Sequence, residues 1–195
     1  VSYGKYISDS SKDADFFYWL EDNALILNRR DTETMEKLIF DCAKLHVDHI
    51  SSQGDPFEMG SSRPLDFGHW AAHKLEQLTA YEIKHGEAVA IGIVLDLAYA
   101  VNEGFLDVTI FERVYAVFVQ LGFTLFHPLL INQEDHGLNP EVHAGLEEFR
   151  AHLGGQLTIT LITAVGVQLN VHEMNKNSLN HAVLLLQQKL CIHAN

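Results

Sequence analysis

The chain has 195 residues, of which 47% are hydrophobic and 20% charged, an ordinary globular composition that is large enough for a hydrophobic core. Its formal net charge of −13 argues against a nucleic-acid-binding face, although a few local cations could still hold an anionic substrate. The two cysteines, Cys42 and Cys191, give no disulfide framework, and no run of eighteen apolar residues predicts a membrane span. We therefore expect a soluble, cytoplasmic protein that binds neither nucleic acid nor a membrane.

The hydrophobic pattern of the chain is mainly helical. Apart from the two helices described below, we predict helices over residues 12–28, 31–50, 107–121, 140–153 and 175–190. In the second of these, we expect five apolar residues to face the core: Met35, Leu38, Ile39, Ala43 and Val47. Alternating residues over 156–163 predict a strand, and residues 171–173 predict a second short strand or a turn. The pattern as a whole predicts a mainly α domain with a minor β element.

Three histidines lie in two neighbouring predicted helices. His69 and His73 are four residues apart, so their rings lie on one helix face, one turn from each other. His85 opens the next helix, which can fold back and bring its imidazole to the first pair. Converging imidazoles are typical of a metal site or an acid–base site. Twelve histidines in the chain also make chance pairs common, so spacing alone leaves open that these are hydrogen-bonded core residues.

Two motifs around these histidines resemble a known family. The first is Asp66-Phe67-Gly68-His69 with His73 and Glu76, and the second, sixteen residues after His69, is His85-Gly86-Glu87-Ala88-Val89-Ala90. Both are similar to the C-terminal domain of 3-dehydroquinate synthase and its sugar-phosphate cyclase relatives, as is a later block over residues 148–161. The resemblance implies a helical metal- and substrate-binding domain of the dehydroquinate-synthase-like fold over residues 12–195, preceded by a divergent leader over residues 1–11.

The resemblance implies a role for each histidine. His69 and His85 occupy the positions of the family's two histidine ligands for a divalent metal, Zn or Co, and a buried hydrogen-bonded pair is the alternative. His73 matches the histidine that transfers protons and contacts the substrate, for which a ring pKa near neutrality is suitable. Its alternative is a core histidine one turn below the metal.

Three further residues are expected to bind the substrate. Arg63 lies where the family places an arginine against a phosphate or carboxylate, and Arg150 corresponds to a late basic residue that binds phosphate or is simply exposed. Asp66 replaces the asparagine of dehydroquinate synthases and resembles cyclases that act on sedoheptulose 7-phosphate. Those cyclases usually lack the second histidine, which is present here as His73. The signature is therefore mixed and leaves the sugar phosphate open.

The start of the chain departs from the family. Counting back from the first helix places Gly4 at the family's metal glutamate and Ile7 at its lysine, and neither side chain can replace them. Lys44 or His46 could take the role of a substrate-binding lysine, or both could lie on a solvated helix face. Glu87 is expected to act structurally at the start of its helix and is left out of the metal set.

The family enzyme implied is a carbon–oxygen lyase that uses NAD and a metal to eliminate phosphate and close a carbocycle, and its relatives are commonly homodimers. No Gly-rich dinucleotide fingerprint occurs in this sequence, so the N-terminal NAD-binding domain is absent from it and we do not expect the chain alone to turn over. The alternative is a truncated, non-catalytic helical module for oligomerisation or interaction. An unrelated histidine-metal hydrolase is weaker, because no acidic partner follows the histidine pair at a hydrolase-like spacing.

Overall fold

The structure, a computed structural model, describes residues 10–52 and 64–193. Gly4, Ile7 and Arg63 lie outside these ranges, as does most of the predicted leader. The described residues form seven α-helices, two 3-10 helices and one two-stranded sheet, which confirms the predicted mainly α fold. The α-helices are α1 (Ser10–Asn28), α2 (Thr32–Ser52), α3 (His69–Leu78), α4 (His85–Asn102), α5 (Val108–Gln120), α6 (Pro140–His152) and α7 (Lys176–His193). The other elements are β1 (Ile159–Ala164), β2 (Val167–Val171) and the 3-10 helices Pro64–Asp66 and Pro128–Leu130.

Helix α4 is the centre of the hydrophobic core. It is apolar on all sides after its first turn, which is the pattern of a helix surrounded by other elements, and eleven of its residues are buried. It packs against α3, α5, α7 and β1. Among the described residues, no helix is both long and apolar enough to cross a bilayer. The burial of α4 leaves its first turn, with His85, at the edge of the core.

The start of α3 lies directly on the backbone of α4. A Cβ atom at Gly92 would be 2.0 Å from the carbonyl oxygen of Gly68, so only glycine fits in α4 at this point. Gly68 itself has a φ of 77°, a left-handed conformation that side chains rarely adopt. Two glycines therefore let the two histidine-bearing helices approach to backbone contact.

The ends of several helices follow from local capping chemistry. Asp107 accepts a hydrogen bond from the backbone N–H of Thr109 at the start of α5. Asn139 does the same for Glu141, and Pro140 occupies the first turn of α6, where its missing N–H costs nothing. The predicted start of α6 at Pro140 is confirmed.

The expectation that Ile39, Ala43 and Val47 face the core is wrong, whereas Met35 and Leu38 are half-buried. The side chains of Ile39 and Val47 are 63% and 55% exposed, and Phe40 beside them is 67% exposed. Helix α1 is the main packing partner of α2 among the described elements. Apolar periodicity correctly predicts that α2 is a helix, but it cannot say whether another element covers the apolar stripe.

The second strand also differs from its prediction. It covers Val167–Val171 and pairs antiparallel with β1, so that Ile159 lies opposite Val171. The strands are joined by a tight turn at residues 165–166, in which Gly166 has a φ of 71°. The predicted first strand, over residues 156–163, ends just before this turn. Gly166 is the feature of the sequence that indicates a chain reversal there.

Candidate metal and substrate site

Helices α3 and α4 place the three histidines together. His69 is the first residue of α3, directly after the left-handed Gly68, and His73 lies one turn later on the same face. His85 is the first residue of α4. Residues 79–84 connect the two helices, and Ala80 and Tyr81 in this connection have φ values of 51° and 64°. Two consecutive left-handed residues reverse the chain sharply enough to return His85 to the first pair.

The three imidazole rings converge on one place. The ring centroids of His69 and His85 are 5.3 Å apart, those of His69 and His73 are 5.5 Å apart, and those of His73 and His85 are 6.0 Å apart. Rings at such distances can present nitrogen atoms to one small ligand. The structure thus brings together all three histidines that the sequence singled out.

Two of the rings are oriented through their Nδ1 atoms. The Nδ1 of His69 lies 3.2 Å from the carbonyl oxygen of Phe67. The Nδ1 of His85 lies 3.2 and 3.3 Å from the two carboxylate oxygens of Glu76. A contact of this kind fixes the ring and leaves Nε2 available as a ligand or a base. The imidazole and carboxylate groups together are a donor set that suits Zn²⁺ or Co²⁺.

The pKa of the His73 ring is lower than that of a free imidazole. Partial burial lowers the pKa of its ring, and the neighbouring charges of His69, His85 and His152 lower it further, whereas Glu76 opposes the change. His73 is therefore neutral near pH 7 and has a lone pair with which to accept a proton.

His73 also lines a cleft between α3 and α6 with a volume of about 210 Å³. Lys74 and Glu148 form an ion pair in its wall, with Nζ and Oε1 2.5 Å apart. His152, at the end of α6, lines the same cleft. The cleft gives the histidine cluster a neighbouring space that a small polar molecule could enter.

The three predicted substrate-binding residues do not all lie near the histidine cluster. Asp66 ends the 3-10 helix just before α3 and is half-buried. Arg150 is exposed on α6, where its guanidinium pairs with Glu147 of the same helix, and it does not line the cleft. Arg63 lies outside the described residues. Of these three, Asp66 is the one that the described structure places next to the histidine helices.

Lys44 and His46 are exposed on α2. Lys44 lines a separate cleft of about 320 Å³, whose lining residues come from α1 and α2 and include Trp19 and Asp48. Glu87 accepts a hydrogen bond from the backbone N–H of Lys84 and caps α4, which is the structural role expected for it.

Two residues of the site received no role from the sequence. Glu76 contacts His85, and its position three residues after His73 on the same helix face was the available signal. His152 joins His73 only through the packing of α6 on α3, so no spacing in the sequence could indicate it.

Comparison with known proteins establishes the family. Residues 8–137 match the family model of the 3-dehydroquinate synthase C-terminal domain. The matched span is about two thirds of the chain and includes both histidine motifs. The chain therefore belongs to the 3-dehydroquinate synthase C-terminal family.

Two similar curated proteins are both 3-dehydroquinate synthases. The protein of Desulforamulus reducens is 33% identical over 124 residues, which are 63% of this chain and 34% of the relative. The protein of a Shewanella species is 31% identical over 155 residues, which are 79% of this chain and 41% of the relative. The chain thus matches between a third and about two fifths of the length of these relatives.

A solved structure has the same fold. The 2-epi-5-epi-valiolone synthase of Streptomyces hygroscopicus, determined with NAD⁺ and Zn²⁺ bound, superposes with a TM-score of 0.77 at 23% sequence identity. The match covers 91% of this chain and 47% of that chain. This likeness shows that the helical fold of this chain is shared by one part of the valiolone synthase.

Proposed function

We propose that this chain is the metal- and substrate-binding part of a 3-dehydroquinate-synthase-like sugar-phosphate cyclase, a lyase that eliminates phosphate from a sugar phosphate and closes a carbocycle with the help of NAD. The convergence of His69, His73 and His85 at ring distances of 5.3 to 6.0 Å carries this proposal. It is supported by the family match, which includes all three histidines, and by the 3-dehydroquinate synthase relatives.

In this proposal, His69 and His85 hold a divalent cation, Zn²⁺ or Co²⁺. Such a cation supplies a Lewis acid that polarises a hydroxyl or carbonyl group of the substrate. His73 accepts a proton from the substrate and returns it, and its lowered pKa favours the neutral form that this step needs. The lone pair of its ring is then available at neutral pH without prior loss of a proton.

The same proposal assigns substrate anchoring to Arg63, Asp66 and Arg150. Guanidinium groups bind phosphate or carboxylate oxygens in pairs, whereas an aspartate suits substrate hydroxyl groups. For Arg150 this role requires release from Glu147, a surface ion pair of the weak kind. We assign NAD to a nucleotide-binding domain of the family enzyme, because this sequence contains no Gly-rich fingerprint.

The test joins the chain to the nucleotide-binding domain of a 3-dehydroquinate synthase, including that family's metal glutamate. Release of inorganic phosphate is measured with the substrate of 3-dehydroquinate synthase and with sedoheptulose 7-phosphate, each with and without NAD and Zn²⁺ or Co²⁺. We expect release from one substrate, dependent on both additions and lost in a His69→Ala, His85→Ala double variant. His181→Ala, an exposed histidine on α7, is the matched control. A fusion that binds NAD and metal but releases no phosphate from either substrate would contradict the proposal.

A second candidate function is a non-catalytic helical module that self-associates. The exposed apolar side chains of Ile39, Phe40 and Val47 on α2 favour it, because apolar surface of this kind is often covered by a partner such as a second copy in a homodimer. Light scattering and a hydrophobic dye test it on the isolated chain. A monomer that binds no dye would exclude this function, whereas a dimer that Phe40→Glu converts to a monomer would support it.

A further inference from the structure

A chain of hydrogen bonds connects the buried carboxylate of Asp96 to the ring of His69. Its middle member is the peptide group between Phe67 and Gly68. The backbone N–H of Gly68 donates to Oδ2 of Asp96 at 3.1 Å. The carbonyl oxygen of Phe67, in the same peptide group, lies 3.2 Å from Nδ1 of His69. We propose that Asp96, acting through this peptide group, is a positioning residue that keeps the ring proton of His69 on Nδ1.

The direction of the last hydrogen bond follows from the groups it joins. A carbonyl oxygen can only accept, so Nδ1 of His69 must donate and must carry the ring proton. A neutral imidazole has one such proton, and Nε2 therefore keeps its lone pair. The half-buried ring lies 5.3 Å from the ring of His85, centroid to centroid. The tautomer thus decides which nitrogen of His69 is available to the histidine cluster.

The charge of Asp96 strengthens the contact with His69. Asp96 is completely buried in α4, and in such surroundings successive hydrogen bonds polarise one another. A carboxylate at the N–H end of a peptide group therefore makes the carbonyl oxygen at its other end a better acceptor. The second carboxylate oxygen, Oδ1, accepts the indole N–H of Trp70 at 2.8 Å, which keeps the side chain in place.

The backbone holds the peptide group between the two side chains. Gly68 has a φ of 77°, and a Cβ atom there would lie 2.5 Å from the backbone nitrogen of Ile93 in α4. The peptide group is therefore pressed against α4, one turn before Asp96 on that helix. His85 reaches a similar state directly, because its Nδ1 lies 3.2 Å from a carboxylate oxygen of Glu76. In both rings a carboxylate acts on Nδ1, in one case through a peptide group.

This inference rests on the proposed function only for the use of the Nε2 lone pair as a metal ligand. The tautomer itself is a property of the metal-free 195-residue chain. Nitrogen-15 NMR of the histidine rings at pH 8 measures it, with His69→Gln to identify the signals of His69. At this pH an ordinary imidazole is neutral. Asp96 is mostly ionised there, although burial raises its pKa to about 7.

We expect the proton of the His69 ring to lie mainly on Nδ1. In Asp96→Ala the ratio of the Nδ1–H to the Nε2–H tautomer should fall at least about threefold, as for the loss of one ordinary hydrogen bond. Asp96→Asn, which keeps the shape without the charge, should lower it at least about twofold. Trp70→Phe removes the other hydrogen bond of Asp96 and is the matched control. It should leave the ratio unchanged, as should every variant for the ring of His85.

Circular dichroism identifies the variants that are folded, and Asp96→Asn decides the matter if Asp96→Ala is not. A His69 ring that carries its proton on Nε2 in the unmodified chain overturns the inference. An unchanged ratio in a folded Asp96 variant also overturns it. An equal fall in Trp70→Phe, or at the ring of His85, would show a general loosening of α3 on α4 and overturns it as well. Because no metal is added, a failure of the proposed metal site leaves each of these results unaffected.

Discussion

The indole nitrogen of Trp70 donates a hydrogen bond to the buried carboxylate of Asp96, with Nε1 and Oδ1 2.8 Å apart. The other oxygen of Asp96 accepts the backbone N–H of Gly68 at 3.1 Å. One side chain from the middle of α4 therefore holds both the start and the first turn of α3. This anchors the helix that carries His69 and His73 to the helix that begins at His85.

The first prediction concerns Asp96. Burial raises the pKa of this carboxyl group to about 7, although the hydrogen bonds from Trp70 and Gly68 favour the charged form. The folded chain thus binds a proton that the unfolded chain releases near pH 4. The stabilisation from this group is complete below about pH 4 and is lost as the pH rises through about 7.

Asp96→Asn tests this balance. The amide keeps the shape but presents an N–H group to one of the two donors, so we expect a loss of about 1–3 kcal/mol in the free energy of unfolding at pH 5. Because the asparagine does not titrate, the difference in the free energy of unfolding between the two proteins should decrease from pH 5 to pH 8. Urea unfolding at several pH values measures this difference. A difference that is constant with pH would show that Asp96 does not titrate in this range.

The second prediction concerns the contact between Gly92 and Gly68. Gly92→Ala places a Cβ atom 2.0 Å from the carbonyl oxygen of Gly68, so α3 must move away from α4. We expect a loss of at least about 2 kcal/mol in the free energy of unfolding, as for other forced overpacking.

Gly86→Ala is the matched control for this change. It lies in the same helix, and a Cβ atom there meets no other atom within 4 Å. The control should be as stable as the unmodified chain or up to about 1 kcal/mol more stable, since alanine favours helices. Equal effects of the two substitutions in thermal unfolding would contradict the close packing of α3 on α4.

The third prediction concerns the acidity of His73 in the metal-free chain. After burial, the charge of His69 is the largest cause of its lowered pKa. His69→Gln should therefore raise the pKa of His73, measured by NMR titration of its ring. Because the pKa is lowered in the folded state, the unfolded chain binds a proton first as the pH falls below about 6.5, and stability from this group is lost there. His181→Gln should leave the titration of His73 unchanged.

The fourth prediction concerns the connection before α6. The side-chain oxygen of Asn180, on α7, accepts the backbone N–H of Leu138 at 2.9 Å. Asn180→Ala leaves this half-buried N–H without its acceptor and should cost about 1 kcal/mol in urea unfolding. Gln188→Ala, an exposed residue on the same helix, should change stability by less than about 0.5 kcal/mol. Equal losses would show that the hydrogen bond does not stabilise the connection.

Local patterns predicted the helices that carry the site, because helical spacing and capping act over a few residues. The shared face of His69 and His73 and the start of α6 at Pro140 are of this kind. The sequence does not predict the exposed face of α2, because burial depends on which element lies opposite. It does not indicate His152 for the same reason, since His152 lines the cleft only through the packing of helices.

The two left-handed residues between α3 and α4 have one further consequence. Because Ala80 and Tyr81 turn the chain within a six-residue connection, a helical hairpin of residues 69–85 sets the distances between the imidazole rings. The cluster is thus encoded by contacts that are short in sequence, and its assembly needs little loop-closure entropy. Because contacts that are close in sequence form at a small entropic cost, we expect this hairpin to form early in folding.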